Sequence, residues 1–194
     1  MAAAAAIDLP STFTYSEARE RGLSDRQLRR LRDDGLIEQF ARGLYQRSDA
    51  GPLDLDLLEI AHRRPDATIC LTSALVRHGL SDEIPARIDI ALPRSQRPAR
   101  TTTPVNWHRF SPDTFLVGRT MVPLDERIHI GLYNSERCVI DMFRLRHKQG
   151  RDAAYEVLRR WLRRRGSSPA DLLQMARAFP HAEPNLRIAL EVLL

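Results

Sequence analysis

Residues 22–47 read GLSDRQLRRLRDDGLIEQFARGLYQR, a short arginine-rich helix between a glycine turn and a two-strand pattern. Ser24 stands where an N-cap belongs, Gln27 three residues on completes a capping box, and Gly35 stops the helix. "LIEQF" (36–40) and "LYQRS" (44–48), joined by Ala41-Arg42-Gly43, form a hairpin whose glycine supplies the left-handed residue of a three-residue turn. Immediately upstream, "TYSEARERG" (14–22) carries the same signals: Thr14 caps, Glu17 completes a capping box, and Gly22 ends the helix. Helix, tight turn, helix, hairpin is the layout of a winged helix-turn-helix. Residues 1–12 read as a loosely ordered tail or a short leading helix.

At 100° per residue, Leu28 and Leu31 fall on one face of the second helix. Arg26 and Arg30 project almost opposite, with Arg29 on one flank and Gln27 on the other. Arg32 sits closer to the buried side, where it packs its stem or makes an intramolecular ion pair. The side chains free to enter a major groove are therefore Arg26, Gln27, Arg29 and Arg30, near the N-terminal end, where recognition helices touch bases. Arginine binds guanine O6 and N7 bidentately and glutamine binds adenine, each pair worth roughly 1–3 kcal/mol of discrimination. Arg42 at the hairpin tip and Arg47 after it sit where a wing meets the backbone or the minor groove. Residues 1–50 hold eight arginines against eight acids, so the segment is not a basic body. A solvated surface, or a winged helix that binds protein or RNA, remains an alternative.

Outward from this segment, "SDAGP" (48–52) is a linker by composition. "LDLDLLEIAHRR" (53–64) is a helix stopped by Pro65, and "TSALVRHG" (72–79) another. Strands follow at "ARIDIALP" (86–93), "VNWHRF" (105–110), "RTMVPL" (119–124) and "RIHIGLY" (127–133), with an exposed proline- and arginine-bearing loop between the first two. From Ser135 the chain is helical again through "ERCVIDMFRLRHKQG", "DAAYEVLRRWLRRRG", "PADLLQMARAF" and "NLRIALEVLL". Strands flanked by helical runs without regular alternation give an α+β fold rather than a doubly wound sheet. The expected organisation is a winged helix-turn-helix at 1–50 and a larger α+β domain at 53–194, a small sheet flanked by helices.

The chain's 194 residues, 43% hydrophobic and 28% charged, suffice for a packed core, and its net charge of +5 favours an anionic partner. Lys148 is the only lysine. Cys70 and Cys138 lie in apolar settings and read as buried free thiols, in keeping with a reducing cytoplasm. "MAAAAAIDLP" has too short an apolar run and no basic region for a signal peptide, and no stretch approaches the ~18 apolar residues of a membrane span. A cytoplasmic protein is expected.

No catalytic constellation stands out, and no cofactor is expected. The six histidines (62, 78, 108, 129, 147 and 181) never fall at metal-ligand spacing, which argues against a metal site. Glycine-rich phosphate loops, G-x-S-x-G and H-E-x-x-H are absent. Asp89 in "IDIALP" sits on a strand as in a metal-dependent nuclease, but the acid-x-lysine that should follow is missing. Asp141 in "VIDMF" reads as a structural ion pair. The helix at 153–165 sets Arg159, Arg160, Arg163 and Arg164 opposite Tyr155, Leu158, Trp161 and Leu162, a solvated basic face or a phosphate-contacting one. Loop residues Arg94, Arg97 and Arg100 allow the same two readings.

Residues 22–47, then "ICLTSALVRHGLSDEIPARIDIALPR" (69–94), "HRFSPDTF" (108–115) and "SERCVIDMFRLRHKQGRDAAYEVLRRWLRRRG" (135–166), resemble in order and spacing the AbiEi-type antitoxins of type IV toxin–antitoxin systems. The resemblance covers about residues 14–194. It implies an N-terminal domain that binds inverted repeats in operator DNA and represses the operon, and a C-terminal domain that counters a nucleotidyltransferase-like toxin without a stable complex. Carried onto this chain, Arg26, Gln27, Arg29 and Arg30 would read DNA, with Ser24 and Arg42 as phosphate or wing contacts. A fuller helix normally precedes this region, whereas only "AAAAAIDLPS" (2–11) stands here. Either the leading helix is very short or another element covers that face.

Overall fold

Two capping boxes set the N-terminal architecture of the computed structural model, which describes residues 9–194. Strand β1 (Thr12–Thr14) runs into α1 (Tyr15–Glu20), where the Thr14 hydroxyl accepts the Glu17 N–H at 3.1 Å and the Glu17 carboxylate accepts the Thr14 N–H at 2.7 Å. Helix α2 (Asp25–Asp33) begins in the same way: Ser24 Oγ accepts the Gln27 N–H and Gln27 Oε1 accepts the Ser24 N–H. These bonds satisfy amides that a helix start otherwise leaves unpaired. Gly22 and Gly35, both at positive φ, end the two helices. Strands β2 (Ile37–Ala41) and β3 (Leu44–Arg47) then form the hairpin, bulged between Gln39 and Ala41 and turned at Gly43, with φ +74°.

The sheet order is β1-β3-β2, with Phe13 opposite Tyr45. Leu9, Phe13, Ala18, Leu23, Leu28, Leu31 and Ile37 form the core beneath it, so the expected apolar face of α2 is the buried one. Strand β1 falls partly in the stretch read as a tail; three residues are too few to show alternation. The leading residues 1–8 of that stretch lie outside the described residues.

Packing divides the chain into two units. The first comprises residues up to Pro65 together with Ala99–Thr103 and Pro123–His129. Residues 53–65, grouped by sequence with the C-terminal domain, thus belong with the helix-turn-helix. They contain α3 (Leu55–Arg63), capped by Asp54. The two returning segments are fixed by charge-assisted bonds. Glu59, 3% exposed, accepts the Thr102 and Thr103 amides. Arg127 donates to the Glu17 carboxylate and the Thr12 carbonyl, each at 2.7 Å, while Asp125 accepts the Thr12 hydroxyl and Glu126 the Ser11 amide. These additions brace the β1–α1 corner.

The second unit comprises Asp66–Pro98, Pro104–Val122 and Ile130–Leu194. In order come β4 (Thr68–Ile69), α4 (Leu71–Arg77), β5 (Ile88–Pro93), β6 (Val105–Phe110), α5 (Pro112–Phe115), β7 (Arg119–Pro123) and β8 (His129–Tyr133). Helices α6 (Ser135–Arg144), α7 (Arg146–Gln149), α8 (Arg151–Leu162), α9 (Pro169–Ala176) and α10 (Glu183–Leu193) follow. The five-stranded sheet has order β6-β5-β4-β8-β7; β4 pairs antiparallel with β5 and parallel with β8, and β5 pairs parallel with β6. The fold is α+β, as the sequence indicates. The central strand β4 has only two residues and gave no periodic signal. The helical run at 136–150 breaks at Leu145 into α6 and α7.

Helix α6 explains the spacing in "SERCVIDMFR". Arg137, Asp141 and Arg144 share one face, with Arg137 and Asp141 buried. The Arg137 guanidinium lies 4.2 Å from the Tyr133 ring centre and 4.4 Å from that of Phe179, while Nη1 donates to the carbonyls of Thr114 and Val117. Asp141 is a structural ion pair, as expected. Gly118 passes so close that a Cβ there would stand 2.7 Å from Arg137 Cβ, at φ +71°. Both cysteines are buried and free, and burial pushes their thiols well above the usual range.

Candidate nucleic-acid interface

Leu28 and Leu31 anchor α2 and turn Arg26, Gln27, Arg29 and Arg30 outward, all exposed. Their availability differs. Arg26 and Arg29 meet no hydrogen-bond or ion-pair partner among the described residues. Arg30 lies 3.6 Å from Asp34, with both side chains at least half exposed, an ion pair too solvated to hold it strongly. Gln27 Oε1 is occupied at the helix start by the Ser24 amide and hydroxyl, at 2.8 and 2.7 Å. Ser24 and Gln27, expected as phosphate and base contacts, therefore both serve the cap; only the Gln27 Nε2 amide stays unbonded among the described residues. The first turn also holds Asp25, which accepts the Tyr15 hydroxyl at 2.6 Å and lies 3.7 Å from Arg19. That hydrogen bond raises the Tyr15 pKa.

Arg32 is exposed rather than stem-buried and donates to Gln39 Oε1 on β2, tying the helix to the hairpin. Arg42 sits exposed in the turn, its side chain unpartnered among the described residues. Arg47 differs from its expected role as a wing contact. Its Nε donates to Asp49 Oδ1 at 2.8 Å and its Nη1 to the Leu9 carbonyl at 3.0 Å, so it fastens β3 to the entering chain. Asp49, two residues on, was the available sequence signal; the Leu9 carbonyl was not.

The other basic surfaces are more closed. On α8, Arg160 pairs with Asp82 at 2.6 Å and with Glu156 at 3.1 Å, and Arg159 lies 3.9 Å from Glu156. Arg163 and Arg164 are exposed beyond them. Asp89 and His108, on the parallel pair β5 and β6, form a contact that sequence reading missed: Asp89 Oδ1 meets His108 Nε2 at 2.8 Å and Asn106 Nδ2 at 3.3 Å. Asp89 N–H is held by Ser73 Oγ. Asp89, Asn106 and His108, with Thr72 and Gln149, line an open hollow of about 340 Å³. Among the described residues no group of three or more His, Cys, Asp or Glu is arranged to hold a metal ion. No helix among them is long and apolar enough to cross a membrane.

Capped helices, tight turn and three-stranded sheet mark the N-terminal segment as a helix-turn-helix with a short wing. Residues 2–48 match the family model described as "Transcriptional regulator, AbiEi antitoxin". The match to the AbiEi family ends one residue after β3, so it spans both helices and the hairpin. The fold of nearly the whole chain is also similar to the crystal structure of the RV2827C protein from Mycobacterium tuberculosis. That similarity has a TM-score of 0.62 at 18% identity and covers 97% of this chain and 75% of the other. No curated protein sequence matches. Helix α2 thus presents Arg26 and Arg29 outward and the hairpin turn presents Arg42, with Arg30 loosely paired and Ser24, Gln27 and Arg47 engaged within the fold.

Proposed function

We propose that this protein is the antitoxin of a type IV toxin–antitoxin system, acting in the cytoplasm and without catalytic turnover. Its first unit binds double-stranded operator DNA at inverted repeats upstream of its own operon and represses transcription. Its C-terminal domain counters a nucleotidyltransferase-like toxin. The observation supporting this reading is the set of guanidiniums on α2 and the wing that have no partner among the described residues, on a helix fixed by caps and two buried leucines. Free guanidiniums bind phosphate and guanine without first breaking an intramolecular pair.

A mobility-shift titration on the promoter of its own operon, repeated over a range of salt concentrations, tests the proposal. Arg29→Ala is expected to lower operator affinity by about 1–3 kcal/mol while changing affinity for unrelated DNA far less. Arg42→Ala is expected to weaken both and to reduce the salt slope by about one unit. Equal affinity of the unaltered protein for operator and unrelated DNA would refute sequence-specific binding. No shift on any DNA, with a protein captured instead, would favour the protein-binding alternative.

A further inference from the structure

The hairpin turn is pinned from two sides. The Gly43 carbonyl accepts the Tyr15 N–H at 2.9 Å, at the start of α1. The Arg42 carbonyl accepts Arg63 Nη2 at 2.8 Å, from the last turn of α3. Arg63 is itself steered by Glu59 one turn earlier, whose Oε1 stands 3.8 Å from the same Nη2. Glu59 is 3% exposed, and its charge is met on the far side by the Thr102 and Thr103 amides at 2.9 and 3.2 Å. Thr103 also donates its hydroxyl to Asp56 at 2.6 Å, so both acids of this stretch of α3 face the same returning segment. A continuous polar relay therefore runs from the Ala99–Thr103 segment through Glu59 and Arg63 to the backbone of Arg42, whose guanidinium has no partner among the described residues.

We infer that Arg63 and Glu59 are positioning residues for nucleic-acid binding: they fix the backbone of Arg42 so that its side chain meets a phosphate from a preset origin. This rests on the DNA-binding reading above and adds the device that makes so short a wing effective. Arginine loses considerable rotamer freedom when it binds, and a mobile turn would add backbone ordering to that cost. Holding the carbonyl in the free protein removes the backbone share beforehand. Neither residue need touch DNA: Glu59 is buried, and Arg63 Nη2 is already engaged between Glu59 and the Arg42 carbonyl.

A double-mutant cycle in the full chain tests the assignment, reading affinity and salt slope on operator and unrelated DNA, with Arg29→Ala as reference. Arg63→Met keeps the aliphatic stem and removes the donors. If Arg63 acts through Arg42, then Arg63→Met and Arg42→Ala each weaken binding about three- to tenfold on both DNAs. Each also lowers the salt slope by about one unit. The double variant then binds no worse than either single one, a non-additivity that general loosening of the unit would not produce. Arg63→Lys, which keeps a charged donor, restores most of the loss, and Glu59→Gln reproduces part of it.

Wild-type affinity and slope in Arg63→Met, with a clear loss in Arg42→Ala, would overturn the assignment. So would single losses that multiply in the double variant. Loss from Arg29→Ala without loss from Arg42→Ala would leave the DNA reading intact and remove the wing inference. No loss from either would remove both.

Discussion

Replacing Arg137 tests what holds the second unit together. Arg137→Met takes away one partner of a fully buried pair, leaving Asp141, 1% exposed, with only Arg144 Nη2 at 2.9 Å. Losing one partner of a buried pair costs about 3–5 kcal/mol, because the remaining charge stays desolvated. Burial already raises the Asp141 pKa, with the two arginines pulling the other way, so removing one tilts the carboxyl further toward protonation. The carbonyls of Thr114 and Val117 lose their donor as well, at about 1 kcal/mol each. Methionine refills much of the space against Tyr133 and Phe179 and recovers part of this. The net expectation is about 4 kcal/mol, or roughly 8–16 °C in melting temperature for a chain of this length. Both tryptophans, Trp107 and Trp161, lie in the second unit, so intrinsic fluorescence during urea and thermal unfolding reports on it directly. Replacing the set together, as Arg137→Met, Asp141→Leu and Arg144→Met, should recover most of the loss, since no orphan charge remains. A single variant melting within about 2 °C of the parent would refute the reasoning, because the scale above then implies under ~1 kcal/mol. A triple variant as damaged as the single one would show that packing, not charge pairing, is at stake.

Two other outcomes are expected in the first unit. Burial lowers the pKa of His62 below the usual 6.5, against the opposing pull of Glu17 and Asp125, and its buried Nε2 has no hydrogen-bond partner among the described residues. The unfolded chain therefore binds a proton that the folded unit resists. Stability should be full above pH ~6.5 and fall as pH drops below it, a loss that melting curves at pH 7, 6 and 5 should show for the parent and not for His62→Gln. Ser24→Ala should destabilise the unit by about 1 kcal/mol through loss of the cap. If Gln27 serves the cap rather than a base, Gln27→Ala should lower the melting temperature while leaving operator-over-unrelated discrimination unchanged; a collapse of discrimination would assign it to DNA.

The parts of the fold legible in the sequence are those fixed by neighbours along the chain. Thr14 with Glu17, Ser24 with Gln27, and the glycines at 22, 35 and 43 act over three residues or fewer, and each appears where its signal stands. The periodic apolar face of α2 and the strand-like runs of β5 and β6 were equally plain. Strand β4 was not, since two buried residues carry no period and owe their place to β5 and β8 on either side. The boundary near residue 50 followed linker composition, but α3 stays with the first unit because Glu59 and Arg63 bond to segments far along the chain or back at the wing. Site residues divide along the same line. Outward direction could be computed from 100° per residue, so Arg26 and Arg29 were identifiable. Occupancy by a partner could not be computed where the partner is the Leu9 carbonyl or Gln39 Oε1.

That division shows why a segment with balanced charge can offer a cationic edge. Of the eight arginines in residues 1–50, Arg47 is bound to Asp49, Arg30 and Arg19 lie beside Asp34 and Asp25, and Arg32 and Arg21 donate to Gln39 and the Glu17 carbonyl. Asp25, Asp34 and Asp49 are thus each matched by an arginine of the segment and Glu17 by Arg127, and the arginines without a partner among the described residues are Arg26, Arg29 and Arg42. Net charge averages over both groups and so understates the interface. Using the three guanidiniums without a partner among the described residues, a single copy would neutralise about three phosphates, a salt slope near −2.7. That slope is shallow beside the six to ten contacts of strongly salt-dependent binders. Non-specific affinity would then be weak, and discrimination would rest on the few base contacts of α2. Under the proposed function, two copies on an inverted repeat would double both terms, so a slope near twice the single-copy value is the expected signature of operator binding.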